Sequence, residues 1–216
     1  MAGLRERKKQ QTRQRISDIA TGLFLERGFD AVTIAEIAEV AEVSVNTVYN
    51  YFPSKEDLFF DREEEQVERS SRQVRERRPG ESAARAVLRG VRADVRPMCE
   101  QWAVDDGMVR FMRCVRESPS LMARVFVMRL RIVDRLTGTL REEAGAPEGD
   151  PVAEMLAIQL AALSDTVFRT IQKGLGNGEA LADVAPRVLA KVDAFEALLS
   201  EEALNYATRP AECSAD

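Results

Sequence analysis

Apolar residues recur at helical spacing from the start of the chain. Ile16, Ile19, Ala20, Leu23 and Phe24 share one face, and Gly28 stands where such a helix would end. The residues before them, 1 to about 9, predict a flexible basic arm. Thr33 followed by Glu36 forms a capping box, with Val32 and Ile37 placed as its hydrophobic staple, so a short helix begins at Ile34 and stops near Val40. Ser44 repeats the device, with Val43 stapling to Val48, and predicts a helix of roughly two turns. Ser54 caps another helix with Asp57 at the box position; it continues into a run charged nearly all round and closes at Pro79-Gly80. In that run Glu65 with Arg69, and Glu68 with Arg72, are spaced as i,i+4 pairs on a solvated helix. From Ser82 the pattern stays helical, with breaks at 105–107, Ser118-Pro119, 145–150 and 174–178. The reading is all-α, about nine helices, with no strand-like alternation. It divides into 1–60, a three-helix helix-turn-helix domain with its basic arm; 61–80, a connecting helix; 81–206, a larger helical domain; and 207–216, a frayed tail.

The stretch from Val32 to Lys55 organises the rest. In the second short helix Val45, Val48 and Phe52 fall on one side, while Asn46, Thr47, Tyr49, Asn50 and Tyr51 spread over the remainder. Helix, tight turn, then a helix offering amides, hydroxyls and phenols is the arrangement that enters a DNA major groove. Asn46 and Asn50 lie one turn apart; an Asn amide can bond adenine N6 and N7 together, and Val45 can meet a thymine methyl.

The run T-I-A-E-I-A from Thr33, then V-S-x-x-T-V-Y-x-Y-F-x-S-K-E-D-L from Val43, resembles the N-terminal domain of TetR-family transcriptional regulators. The likeness covers roughly the first quarter of the chain. One position departs: the turn usually carries Gly and this chain has Glu42, where a positive φ would cost on the order of 1 kcal/mol. The resemblance implies that Val45, Asn46, Tyr49 and Asn50 face bases, and that Thr33, Ser44, Thr47, Tyr51 and Lys55 sit at DNA-backbone positions. It implies double-stranded DNA as partner, a homodimer, and a small-molecule effector that releases a repressor from a palindromic operator. The link between domains would be one long helix from Ser54 to Arg77.

Composition then adjusts the picture. The net charge of -5 argues against nucleic acid, but Arg5, Arg7, Lys8, Lys9, Arg13 and Arg15 concentrate positive charge at the start. Every internal methionine lies beyond residue 97, and Leu121 to Leu136 is apolar on more than one face, predicting a central buried helix. Core packing explains those residues one by one. The family's habit of an internal cavity makes Met98, Trp102, Met108, Phe111, Met112, Phe126, Leu130, Met155 and Phe168 its candidate lining. Two late helices carry apolar stripes, Val152, Leu156, Leu160, Leu163 and Val167 on one, Val188, Val192 and Phe195 on the other. Two such helices look like half of a four-helix bundle formed with a second copy; internal packing could absorb one stripe, but the family resemblance implies dimerisation through both.

The chain has no histidine, no Gly-rich phosphate loop and no paired carboxylates in an apolar setting. No enzyme, cofactor or metal is expected. Three unpatterned cysteines, Cys99, Cys114 and Cys213, predict free thiols in a reducing compartment. With no signal peptide or apolar run of about 20 residues, a cytoplasmic protein with no membrane partner is expected. A ligand-independent DNA-binding or architectural protein is the alternative.

Overall fold

The computed structural model describes residues 2–99 and 106–211. Among them are eleven α-helices and no strand: α1 (Ala2–Arg27), α2 (Ile34–Val40), α3 (Val45–Tyr51), α4 (Lys55–Phe59), α5 (Glu63–Arg75), α6 (Ala83–Val95), α7 (Asp106–Glu117), α8 (Pro119–Ala144), α9 (Pro151–Gly176), α10 (Leu181–Leu198) and α11 (Glu201–Asn205), with a 3-10 turn at Arg96–Cys99. The all-helical expectation holds. The helices exceed nine because the expected helix from Ser54 to Arg77 is divided at Phe60, and because α11 forms near the C-terminus. Neighbouring helical residues point about 100° apart. Leaving the helix at Phe60 lets the rings of Phe59 and Phe60 both reach Phe111, with centroids 4.7 and 6.1 Å away.

The helices divide into two compact units, one of residues up to Glu63 with Asp106–Val125, the other of Glu64–Asp105 with Phe126–Asp216. A boundary along residues 61–80 therefore omits a contribution to the N-terminal unit, since α7 packs on α1. Ile16, Ala20 and Phe24 of α1 are fully buried with Ile37, Val48 and Leu58 of α2, α3 and α4. The Cys114 thiol donates to the Phe24 carbonyl at 3.2 Å, and Ser118 to Asp30 at 3.0 Å. Arg124 bonds Asp57 at 2.8 Å and Glu63 at 2.6 Å. The basic arm is not a loose tail: α1 includes residues 2–9, which are mostly good helix formers and extend an existing helix without a new nucleus.

The second unit has Val87, Leu136, Leu140, Leu156 and Leu160 at its centre, and Leu88, Leu163 and Val192 in a neighbouring cluster. α5 is not solvated all round. Glu63, Val67, Ser71, Val74 and Arg77 make a buried row, and the charged residues pair across helices, Arg69 with Asp94 and Arg135 with Glu64 and Glu68. The tail is tied down through Arg209: its carbonyl accepts from the Gly80 N–H at 2.9 Å and its N–H donates to the Glu81 carbonyl at 3.0 Å. Tyr206 donates to Asp150, the α9 N-cap, at 2.6 Å.

Two expectations about the larger unit are corrected. α8 is not buried along its length, since Phe126 and Leu130 are 60% and 53% exposed. Leu156, Leu160, Leu163, Val188 and Val192 are each closed off within one chain, at 2% exposure or less, so they are internal core and have no surface to offer a partner. The unit is built from amphipathic helices, and the most regular apolar stripe of each turns inward. Val152 is half-buried, and Val167 and Phe195, also half-buried, pack against that core.

Candidate nucleic-acid interface

α2 and α3 are each set by a local hydrogen-bond device. The Thr33 hydroxyl accepts from the Glu36 N–H at 3.2 Å while Glu36 accepts from the Thr33 N–H at 2.7 Å and hydroxyl at 2.8 Å. Arg27 donates to the other oxygen of Glu36 at 2.9 Å. Those bonds, the Thr33 N–H first, hold the Glu36 carboxyl at about 2 against an ordinary 4.5. Between the helices the chain turns at Glu42, whose φ of 53° is the left-handed conformation foreseen for a residue replacing Gly. Arg15 steadies the turn from α1 by donating to the Ala41 carbonyl at 2.7 Å. By sequence Arg15 is one of six basic residues near the start of the chain, and nothing in the local pattern marks it as a bracket for a turn 26 residues away.

On α3, Val48 is buried against the domain, with Phe52 beside it at the C-cap. That fixes which residues face outward. Val45 and Tyr49 are 39% and 48% exposed, and Asn46 and Asn50 are exposed beside them. Residues i, i+1, i+4 and i+5 of a helix form one continuous strip. The strip carries no charge; it offers two amides, a phenol and a methyl surface, the groups suited to base edges.

The expected backbone positions separate into groups. Ser44 accepts from the Thr47 N–H at 3.0 Å, and the two hydroxyls bond each other at 2.8 Å. One hydroxyl hydrogen of the pair is left over and can donate to a phosphate oxygen. Tyr51 is half-buried next to them. Thr33 is exposed, but its N–H and hydroxyl are both taken by Glu36. Lys55 is turned inward: its ammonium lies 4.3 Å from the Phe29 ring centroid and 5.8 Å from that of Phe24, and burial lowers its pKa. Of the basic residues in α1, Arg13 lies 4.6 Å over the Phe52 ring and Arg15 holds the turn. Arg7, Lys8 and Lys9 stay exposed.

The expected ligand-lining residues are divided between the two units. Phe111 belongs to the aromatic cluster of the N-terminal unit, stacked on Phe59. Met108, Phe126, Leu130 and Met155 are exposed, and Met98, Met112 and Phe168 are half-buried. Trp102 lies outside the described residues.

Residues 16–61 match the family model described as bacterial regulatory proteins, tetR family. The HTH-type transcriptional regulator TcmR of Streptomyces glaucescens is 32% identical over 151 residues, which are 68% of this chain and 65% of that protein. Residues 16–61 belong to the TetR family. LuxR of Vibrio harveyi, another HTH-type transcriptional regulator, is 50% identical over 46 residues, 21% of this chain and 22% of that protein. Among solved structures, NalD, the secondary repressor of the MexAB-OprM multidrug efflux pump in Pseudomonas aeruginosa, superposes with a TM-score of 0.53 at 18% identity, covering 88% of this chain and 97% of its own. A putative TetR-family regulator from Mesorhizobium loti gives 0.52 at 17% identity over 88% and 97%. At such identities the TetR structures carry the fold alone.

Proposed function

We propose that this protein is a sequence-specific, DNA-binding transcriptional repressor that acts as a homodimer and leaves a palindromic operator when a small molecule binds. The observation that carries the reading is the uncharged strip of Val45, Asn46, Tyr49 and Asn50, held outward on a helix capped by Ser44 and preceded by a turn that Arg15 bonds. Rigid presentation matters because base readout needs amide donors and acceptors in register with base edges before contact. Ser44, Thr47 and Tyr51 would hold the backbone beside the strip, and Arg7, Lys8 and Lys9 would add a sequence-independent attraction to phosphate.

Two reading heads must be tied together, since operator affinity depends on half-sites one DNA turn or a multiple apart. The outer faces of α9 and α10 suit that role. Met155 and Ile158 on α9 and Leu198 on α10 are 51%, 41% and 84% exposed, side by side with the small residues Ala162 and Ala194. By length and composition α9 could span a bilayer. Its inner row, however, is taken up by the core, and its outer row carries Glu154, Arg169 and Lys173. Effector release would act through α8, whose second turn carries Arg124 bonded to Asp57 of α4 and to Glu63. A ligand that shifts α8 would draw on α4 and change the spacing of the heads, which requires unequal affinity for the two states.

Footprinting on the DNA around the protein's own gene, followed by gel shifts against random DNA at one salt concentration, tests the reading. Protection of a two-fold-symmetric site is expected. Equal affinity for the protected site and for random DNA would overturn it.

A further inference from the structure

The outer face of α9 and α10 is electrically polar along its length. Met155, Gln159, Ala162, Thr166, Arg169 and Lys173 recur at three and four residues on α9, so they form one stripe. Arg187, Lys191, Ala194 and Leu198 form the matching stripe on α10. The two helices pack antiparallel within the chain, as Gly174 near the end of α9 meets Val184 near the start of α10, while Leu156 and Phe195 share a core cluster at the other end. One end of the face therefore collects Arg169, Lys173, Arg187 and Lys191 around an open groove with a volume of about 620 Å³. The other end has a groove of about 400 Å³ lined by Met155, Leu198 and Glu202, with Glu154 next to it on α9. Alanines lie in between.

At the basic end, Arg169 is paired with Asp165 and Arg187 with Glu179. Lys191 donates to the Thr170 hydroxyl at 2.8 Å, and among the described residues neither Lys191 nor Lys173 has an ion pair. At the other end Glu154 and Glu202 likewise have no ion pair among the described residues. Two uncompensated ammonium groups at one end thus match two uncompensated carboxylates at the other.

We infer that the basic groove is completed by Glu154 and Glu202 of a second copy of this chain, so that end-to-end charge sets an antiparallel two-fold register. The inference rests on the homodimer reading above and specifies what orients it. A two-fold axis at the level of Ala162 and Thr166 places Met155 of one copy beside Lys173 of its twin. The isologous contact then repeats every pair, basic end on acidic end, twice. The alanines at mid-face allow the close approach that such a crossing needs. A parallel arrangement would set lysine against lysine and glutamate against glutamate, which electrostatics opposes.

The test uses the full chain in three forms: wild type, Lys173→Glu with Lys191→Glu, and Glu154→Lys with Glu202→Lys. All four positions are exposed, so circular dichroism should show each variant folded. By sedimentation at about 0.1 M salt, each variant alone should self-associate at least about tenfold more weakly than wild type, and the two mixed should recover a dimer, because an all-acidic face then meets an all-basic one. Wild-type dimerisation should weaken as salt rises. A monomeric wild type would overturn the homodimer reading itself. A wild-type dimer with variants that associate equally well, or with no recovery on mixing, would overturn only the charge register. So would a groove that takes a free anion, seen as pyrophosphate raising the Tm of wild type and not of the lysine variant while both stay dimeric.

Discussion

Asn50 shows how much one side chain's role depends on what its neighbours do. Val48 is buried and Phe52 caps the helix, so Asn50 is exposed and one turn from Asn46. Asn50→Ala should reduce affinity for the footprinted site by about 1–3 kcal/mol and leave random DNA nearly unchanged. Gel shifts on both DNAs check it, and equal losses would remove Asn50 from the reading strip. Glu36 makes a different statement, about pH. Its folded pKa of about 2 lies below the ordinary 4.5, so the stability it contributes is fully present above pH 4.5 and disappears as pH falls towards 2. Thermal melts of wild type and Glu36→Gln should therefore differ at pH 6 and converge near pH 2. A gap that persists at pH 2 would mean that the carboxylate's charge is not what the cap uses.

At the scale of elements, the contact between α9 and α10 depends on a residue with no side chain. A Cβ at Gly174 would stand 2.3 Å from one methyl carbon of Val184 and 3.2 Å from the other. Val184 is fully buried and its χ1 is stiff, so it cannot swing away. In a helix interior, propensity alone would favour Ala over Gly by about 1 kcal/mol. Here overpacking wins, and Gly174→Ala should destabilise the protein by about 1–3 kcal/mol in urea unfolding. A stabilised variant would show that α10 moves aside easily. The same logic explains α5. Its charged residues looked like a solvated surface with pairs along the helix, yet Val67, Ser71 and Val74 seat it in the core, and its arginines reach α6 and α8.

For the molecule as a whole, the inward stripes of α9 and α10 separate two effects that a sequence confounds. Leu160 and Val188 are closed off inside one chain. A carboxylate placed at either position would be buried unpaired, at a cost of several kcal/mol. Leu160→Glu should therefore cost folded structure, seen as a lost cooperative melt by circular dichroism, whereas the lysine and glutamate variants of the outer face should cost only association. A well-folded monomeric Leu160→Glu would contradict this placement of the core.

What the sequence determined alone is what depends on residues close along the chain. Capping boxes at Thr33 and Ser54, the Ser44 cap, the Gly28 stop and the starts at Pro119 and Pro151 involve partners within about four residues, and each helix begins or ends where its signal stands. The strained turn at Glu42 was legible for the same reason, as was the outward strip of α3, because a helix of two turns has one apolar side to bury. Tertiary structure decided what one apolar or charged residue meets far away in sequence. It turned Lys55 onto Phe29, gave Arg15 to the Ala41 carbonyl, broke the helix at Phe60 so that two rings could reach Phe111, and fastened Arg209 to the loop after α5. It also chose which face of α9 and α10 is core. A periodic stripe specifies that a face will be buried, but burial against the same chain and burial against another use the same residues and the same hydrophobic free energy.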